Sequence, residues 1–228
     1  MAKGKRRNQN RKGKPQNRIF HLVGALLILG SLAMGFNLYK DYYHQLKNTI
    51  KNKVTSGDAI SNYSEEVLAA ADQFDLSYGY LMALIQLECG GLKPAGSRFE
   101  KHVFKRLQEV RDGSRTNYEN VTQRHLQDAS DAALKNLATS WGPFQLMGYK
   151  CILLDVKIKD IRGPNAVHYG VKWINLAYGK RVRNEQFKDC FHIHNTGRPY
   201  PSNGNPKTHD PQYVPRGLQA IERYENAR

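Results

Sequence analysis

The residue whose setting most strongly suggests chemistry is a single carboxylate, Glu88. It follows an apolar run at positions 80–87 and precedes the segment Cys-Gly-Gly at 89–91. Apolar side chains stand seven, four and three positions earlier, and on a helix this spacing puts Glu88 on the buried face. Burial disfavours the charged form of a carboxylic acid, which is how a general acid keeps its proton near neutral pH. The pattern favours a general acid; the alternative is a glutamate turned to solvent at a frayed helix end.

The elements that would position Glu88 are predicted to be helices. Ser64 is expected to cap a helix that ends near Phe74, and Ser77 to cap the apolar helix that carries Glu88. Gly and Pro punctuate residues 141–148, which favours a tight turn or short hairpin, and a Gly/Pro/Asn-rich loop is expected at 195–211. The fold class is mainly α with a small β element. Further helical spacing occurs at residues 102–110, 129–137, 166–178 and 217–224.

The N-terminal part has the pattern of a membrane anchor. Residues 1–18 contain eight Lys or Arg and no acid, and residues 19–39 contain no Asp, Glu, Lys or Arg. Twenty-one residues rise roughly 30 Å as a helix, about one hydrocarbon thickness. The positive-inside rule then places the N-terminus in the cytoplasm and the rest of the chain outside it. The rival interpretation is a signal peptide cleaved near residues 31–33, but the long basic arm favours an uncleaved anchor.

The predicted organisation has four parts. Residues 1–18 form a disordered basic arm in the cytoplasm, 19–39 a single span of the inner membrane, 40–60 a helical stalk, and 61–228 an extracytoplasmic globular domain. The chain has a formal net charge of +15, of which the arm supplies +8. A basic arm can bind nucleic acid, but membrane topology already accounts for this one, so no nucleic-acid partner is expected. Oligomeric state is left open.

The three cysteines, Cys89, Cys151 and Cys190, leave at least one free thiol in a monomer. Cys151 and Cys190 could pair in an oxidising compartment. No zinc-ligand spacing is present, so no metal or cofactor is expected, and the alternating His192 and His194 are interpreted as surface or strand residues. A Cys89 nucleophile is disfavoured because the C-terminal end of a helix raises the pKa of a thiol.

Several motifs resemble those of lysozyme-like enzymes that cleave peptidoglycan. Residues 85–91 resemble the E-S-G-G segment of that superfamily, and residues 99–104 the F-E-x-H-x-F stretch of the N-acetylmuramidase family found in phage lysins. Residues 140–148 are similar to the muramidase motif S-x-G-x-F-Q-I-M-G and to G-L-M-Q of lytic transglycosylases. Residues 194–197 resemble Y-N-G or Y-N-A-G, and residues 213–214 the Y-V before a terminal helix. The motifs occur in the family's order across residues 65–225.

The resemblance implies an α+β lysozyme-like fold and cleavage of the β-1,4 bond between N-acetylmuramic acid and N-acetylglucosamine. Glu88 would be the general acid, and Glu100 is the first candidate for a second carboxylate. A salt bridge or a helix cap is the alternative role for Glu100. Other acids in the same region stay open as candidates: Asp112, Asp128 and Asp131.

The same resemblance implies residues that bind the sugar chain. Ser140 and Gln145 would contact it from the hairpin, although a turn glutamine that satisfies backbone groups is the alternative. His194, Asn195 and Tyr213 would line the opposite side. His194 departs from the tyrosine of the resembling families, as Cys89 departs from their serine or threonine.

The expected partners are peptidoglycan glycan strands and, through residues 19–39, the lipid bilayer. Three functions are compatible with these residues. The first is a membrane-anchored muramidase. The second is a lytic transglycosylase that uses Glu88 as both acid and base and releases 1,6-anhydro sugars. The third is a non-catalytic peptidoglycan-binding protein.

Overall fold

The computed structural model describes residues 58–227, and it is mainly helical, as the sequence predicts. The predicted arm, the membrane span and all but the end of the stalk lie outside these residues. Among residues 58–227, no helix combines the length and the apolar character that a bilayer crossing needs. The helices are α1 (Ala59–Phe74), α2 (Tyr78–Cys89), α3 (Lys101–Arg111), α4 (Gln123–Leu126), α5 (Asp131–Leu137), α6 (Lys150–Leu153), α7 (Ile158–Arg162), α8 (Ala166–Arg183), α9 (Phe187–Thr196) and α10 (Tyr213–Glu225).

The strands are short and form two small antiparallel sheets. They are β1 (Arg98–Phe99), β2 (Asn117–Tyr118), β3 (Val121–Thr122), β4 (Thr139–Trp141) and β5 (Leu146–Met147). One sheet has the order β1-β4-β5, with Arg98 opposite Ser140 and Ser140 opposite Met147. The other pairs β2 with β3. The predicted hairpin at 141–148 is confirmed as β4, a loop and β5.

Helix α2 lies at the centre of the main core. Eight consecutive residues, 78–85, are buried on every side of the helix, which is the pattern of an element enclosed by its neighbours. It packs mainly against α10 and α1. Ser77 caps it as predicted, since its Oγ accepts the Tyr80 N–H at 3.0 Å. The helix ends at Gly90, whose φ of 63° is the left-handed conformation that glycine adopts most easily.

Helix α1 begins earlier than predicted. Its N-cap is Asp58, whose carboxylate accepts the N–H groups of Ile60 and Ser61. Ser64 lies inside the helix, and its hydroxyl hydrogen-bonds to the Tyr78 hydroxyl at 2.8 Å. The prediction of a cap at Ser64 is therefore wrong. The buried face already includes Ala59, so the helix has apolar surface to bury before Ser64 is reached.

Helices α8 and α9 bring two further features to the core. Tyr178 interrupts the helical dihedrals of α8, with φ −154° and ψ 20°. Helix α9 runs through His192 and His194, so the interpretation of these residues as strand or surface histidines is wrong. His192 is buried and holds the following loop: its Nε2 accepts the Lys207 N–H at 3.0 Å and its Nδ1 donates to the Arg198 carbonyl at 2.7 Å.

Candidate functional site

Glu88 lies in the last turn of α2, with 15% of its side chain exposed. Its Oε1 accepts a hydrogen bond from the hydroxyl of Tyr213, the first residue of α10. Tyr213 is buried, and burial, followed by the negative charge of Glu88 and the hydrogen bond to it, raises the pKa of the phenol well above its usual value. The hydroxyl therefore stays protonated and remains a donor to Glu88. The packing of α2 against α10 thus joins two residues that are 125 positions apart.

His194 is the second neighbour of Glu88. It lies near the C-terminal end of α9, and its Nε2 is 3.9 Å from Glu88 Oε1 and 3.0 Å from the Phe144 carbonyl oxygen. Its Nδ1 is 2.7 Å from the Tyr178 hydroxyl. A carbonyl oxygen only accepts hydrogen bonds, so the network assigns the proton of the neutral ring to Nε2, and Nδ1 accepts from Tyr178. The N–H that bonds to Phe144 is therefore on the nitrogen nearer to Glu88.

Two buried tyrosines extend this network into the core. The Tyr80 hydroxyl donates to the Tyr178 hydroxyl at 3.2 Å, and Tyr178 in turn donates to His194. Burial raises the pKa of both phenols, so both remain donors. The sequence placed Tyr80 and Tyr178 only among apolar helical positions. No spacing signal identifies a hydroxyl that meets a histidine from another helix.

The hairpin residues Ser140 and Gln145 bond mainly within the protein. The Gln145 amide group donates to the carbonyls of Gly96 at 2.8 Å and Gly142 at 3.0 Å, and its Oε1 accepts from Ser140 Oγ at 2.8 Å. This is the structural role that the sequence left open for Gln145. The hairpin still adjoins the Glu88 cluster, because the residue before Gln145 is Phe144, whose carbonyl accepts from His194.

Phe144 is seated by a glycine. Its ring is 1% exposed, and a Cβ at Gly170 of α8 would collide with it. Gly170 therefore allows the close approach that places the hairpin loop beside His194.

Glu100 has basic partners on both carboxylate oxygens. Oε1 is 2.5 Å from Arg98 Nη2, and Oε2 is 3.5 Å from His102 Nδ1. The residue is the N-cap of α3, but its side chain makes no capping hydrogen bond. These contacts correspond to the salt-bridge alternative for Glu100.

The remaining candidates are on the surface. Asn195 is exposed beside His194 at the end of α9. Among the other acids, Asp112 and Asp131 both pair with Arg111, at 2.8 Å and 2.7 Å, and Asp128 is exposed. The structure thus brings Glu88, His194 and Tyr213 together, while Asp112 and Asp131 pair with Arg111 and Asp128 is exposed.

The three cysteines are free thiols, and Cys151 and Cys190 do not form the disulfide that the sequence left open. Burial raises the pKa of Cys89 to about 11, and its Sγ bonds to the Ile85 carbonyl at 3.3 Å. A thiol with such a pKa is a poor nucleophile at neutral pH. Within residues 58–227, no cluster of three or more His, Cys, Asp or Glu side chains could hold a metal ion.

An open groove of about 900 Å³ is lined in part by the hairpin loop residues 141–143. Its other walls come from α1, from the loop after α2, and from α7 with the start of α8. Glu88 is not among the lining residues. Its charged lining residues are Lys93, Lys159, Arg162, Glu66 and Asp160, and Trp141 is an aromatic one.

Comparison with known proteins adds no assignment to this site. No protein-family model matches the chain, and no curated protein and no solved structure matches it.

Proposed function

We propose that the protein is a membrane-anchored glycosidase of lysozyme-like fold that cleaves the β-1,4 bond between N-acetylmuramic acid and N-acetylglucosamine in peptidoglycan. The observation that carries the proposal is the setting of Glu88. It is mostly buried at the end of an enclosed helix, and a protonated tyrosine donates to one of its oxygens. In the part of the chain that the structure describes, no Lys or Arg lies within 4.0 Å of it. The order of the motifs that resemble muramidases supports the same residue.

The proposed chemistry follows from this arrangement. Tyr213 occupies Oε1, so the acidic proton would reside on Oε2, beside the oxygen of the leaving sugar. His194 presents its Nε2–H, which bonds to the Phe144 carbonyl, 3.9 Å from the same carboxylate oxygen.

Digestion of purified sacculi tests the assignment. Glu88→Gln keeps the shape of the side chain and removes the acid, so we expect it to slow digestion at least about a hundredfold. Glu222→Gln makes the same chemical change on an exposed part of α10 and should digest like the parent protein. Equal digestion by Glu88→Gln and the parent would refute the assignment of Glu88. Binding of sacculi by the parent without any cleavage would instead indicate a non-catalytic binding protein.

A lytic transglycosylase is the second candidate, and the contacts of Glu100 favour it. Because Arg98 Nη2 lies 2.5 Å from one of its oxygens, Glu100 is already engaged in an ion pair and is not a free second carboxylate. Glu88 would then act as acid and later as base, and the C6 hydroxyl of the muramic sugar would replace water. The products differ by one water molecule, so mass spectrometry separates the two reactions. Substantial loss of activity in Glu100→Gln, with reducing-end products, would favour the hydrolase.

The membrane topology is a separate part of the proposal. It depends on the charge asymmetry around residues 19–39. A reporter enzyme that is active only outside the cytoplasm, fused after residue 57, should be active, and a fusion within residues 1–18 should not. The reverse pattern would overturn the orientation.

A further inference from the structure

The groove beside the hairpin has more cations than carboxylates among its lining residues. Lys93, Lys159 and Arg162 face it, against Glu66 and Asp160. Lys93 Nζ pairs with Glu66 at 2.5 Å, so these two charges largely cancel. Asp160 Oδ2 accepts a backbone N–H at the start of α7 at 2.9 Å. Lys159 and Arg162 are thus the lining cations without a carboxylate partner in the described part of the chain, and the five charged groups of the groove carry a formal net charge of +1, since a backbone N–H leaves the charge of Asp160 in place.

Lys159 and Arg162 form a pair of neighbouring cations. They stand three residues apart on α7 and so lie on the same side of it. Among the described residues 58–227, neither has a carboxylate within 4.0 Å. The Arg162 guanidinium lies 5.4 Å from the centre of the Trp141 ring, and the indole N–H is fixed by a 2.9 Å bond to the Asn136 carbonyl. The aromatic ring thus supports a planar cation that can bind a carboxylate in a bidentate manner.

The groove and the cluster around Glu88 adjoin at the hairpin loop. Pro143 lines the groove, and the next residue, Phe144, accepts the hydrogen bond from His194. A volume of about 900 Å³ suits a ligand of several sugar or amino-acid units. In peptidoglycan, the muramic sugar carries a short peptide with free carboxylates, and four extended residues span about 14 Å. A sugar beside Glu88 would therefore have its peptide within reach of the groove.

We propose that this groove binds the acidic stem peptide of the glycan strand, with Arg162 and Lys159 pairing with its carboxylates and Trp141 packing against it. The inference rests on the proposed function, and it gives the substrate class more narrowly: strands that still carry their peptides.

Calorimetric binding to the full chain in detergent tests the inference, with Glu88→Gln present to prevent turnover. Three ligands are compared: the disaccharide with an acidic tetrapeptide, the same compound with its peptide carboxylates amidated, and the bare disaccharide. We expect the acidic compound to bind at least about tenfold more tightly than either of the others. The double change Lys159→Gln and Arg162→Gln should reduce this preference to less than about threefold. The double change Lys101→Gln and Arg124→Gln removes the same charge from exposed positions outside the groove and should keep the preference.

Equal binding of the acidic and amidated compounds, or a preference that survives the loss of Lys159 and Arg162, would overturn the inference. Displacement of the acidic compound by a poly(glycerol phosphate) chain of equal charge would also overturn it, because the groove would then bind wall anions in general. The outcome is separable from that of the proposed function. If the protein prefers the acidic compound but cleaves no sacculi, peptide binding by the groove is supported and glycosidase activity is refuted. If it cleaves sacculi without preferring the acidic compound, the glycosidase is supported and peptide binding by the groove is refuted.

Discussion

The order of donors in the tyrosine network predicts that two similar substitutions have unequal costs. Tyr80 donates to Tyr178, and Tyr178 donates to His194. Tyr80→Phe removes one donor and leaves the bond between Tyr178 and His194 intact. Tyr178→Phe removes the acceptor of Tyr80 and the donor to His194, which leaves two polar groups without partners in the core.

The magnitudes follow from the number of groups left unsatisfied. A net hydrogen bond contributes about 1 kcal/mol, and a buried group left without a partner costs about 1–3 kcal/mol. We therefore expect Tyr80→Phe to lower the free energy of unfolding by about 1 kcal/mol and Tyr178→Phe by about 2–4 kcal/mol. For a domain of this size, these values correspond to about 2–4 °C and about 4–16 °C in Tm. The double variant should cost about 1 kcal/mol less than the sum, since it also removes the hydroxyl that Tyr178→Phe orphans.

Urea unfolding followed by tryptophan fluorescence measures all three variants, and unchanged m-values would show that only stability has changed. The reasoning would be refuted if Tyr80→Phe cost as much as Tyr178→Phe, because the donor order would then be wrong. Additive costs in the double variant would equally show that the two hydroxyls are not coupled.

Three further predictions concern the hydrogen bond to Glu88, the reactivity of the three thiols, and the pH dependence that follows from the tyrosines with raised pKa. Tyr213→Phe removes the hydrogen bond to Glu88, and we expect the rate of sacculus digestion to fall about tenfold or more. The rate of Glu88→Gln serves as the control for lost activity. Full activity of Tyr213→Phe would show that the hydrogen bond is dispensable. Burial raises the pKa of the Cys89 and Cys151 thiols to about 11 and of the Cys190 thiol to about 12. Iodoacetamide at pH 8 should therefore modify the native protein at least about a hundredfold more slowly than the urea-unfolded protein. Fast labelling of Cys89 in the native protein would contradict this prediction. Stability should fall as the pH rises above about 10, by about 1.4 kcal/mol per pH unit per group, because the folded state retains phenol protons that the unfolded state releases. Phenolate absorbance should then rise together with unfolding. Gradual titration of the tyrosines while the protein stays folded would refute the expectation. The tyrosines with raised pKa are Tyr63, Tyr80, Tyr118, Tyr149, Tyr178, Tyr213 and Tyr224.

The helices were predictable where local chemistry and burial agree. Ser77 precedes an apolar run directly, and the structure has the cap and the helix where the spacing puts them. Upstream, Asp58 and Ser64 are both residues that cap helices well. Which of the two residues caps the helix depends on how far the apolar face extends. Because Ala59 and Tyr63 are buried in the core, the helix must begin before them, and Asp58 is the cap. A local rule cannot supply that information.

The surroundings of Glu88 were predictable only where a motif gave a reason to look. The resemblance named His194 and Tyr213, and the structure places both beside the carboxylate. The two histidines of α9 alternate in sequence, a pattern that favours surface or strand residues, yet on the helix they bond to different partners. Tyr178 could not be found from sequence, because its role depends on a contact between α8 and α9 and on the break in α8.

The enclosure of α2 has a consequence for mutational tolerance. Residues 78–85 have no solvent-facing position, so a saturation library would show intolerance across the whole segment, whatever the protein does. Sensitivity there reports packing. Glu88 differs, since its side chain is partly exposed and Gln has nearly the same volume. A library selected once for folded protein and once for wall cleavage should therefore separate the residues needed for folding from those needed for activity. We expect Gln at position 88 to pass the first selection and to fail the second.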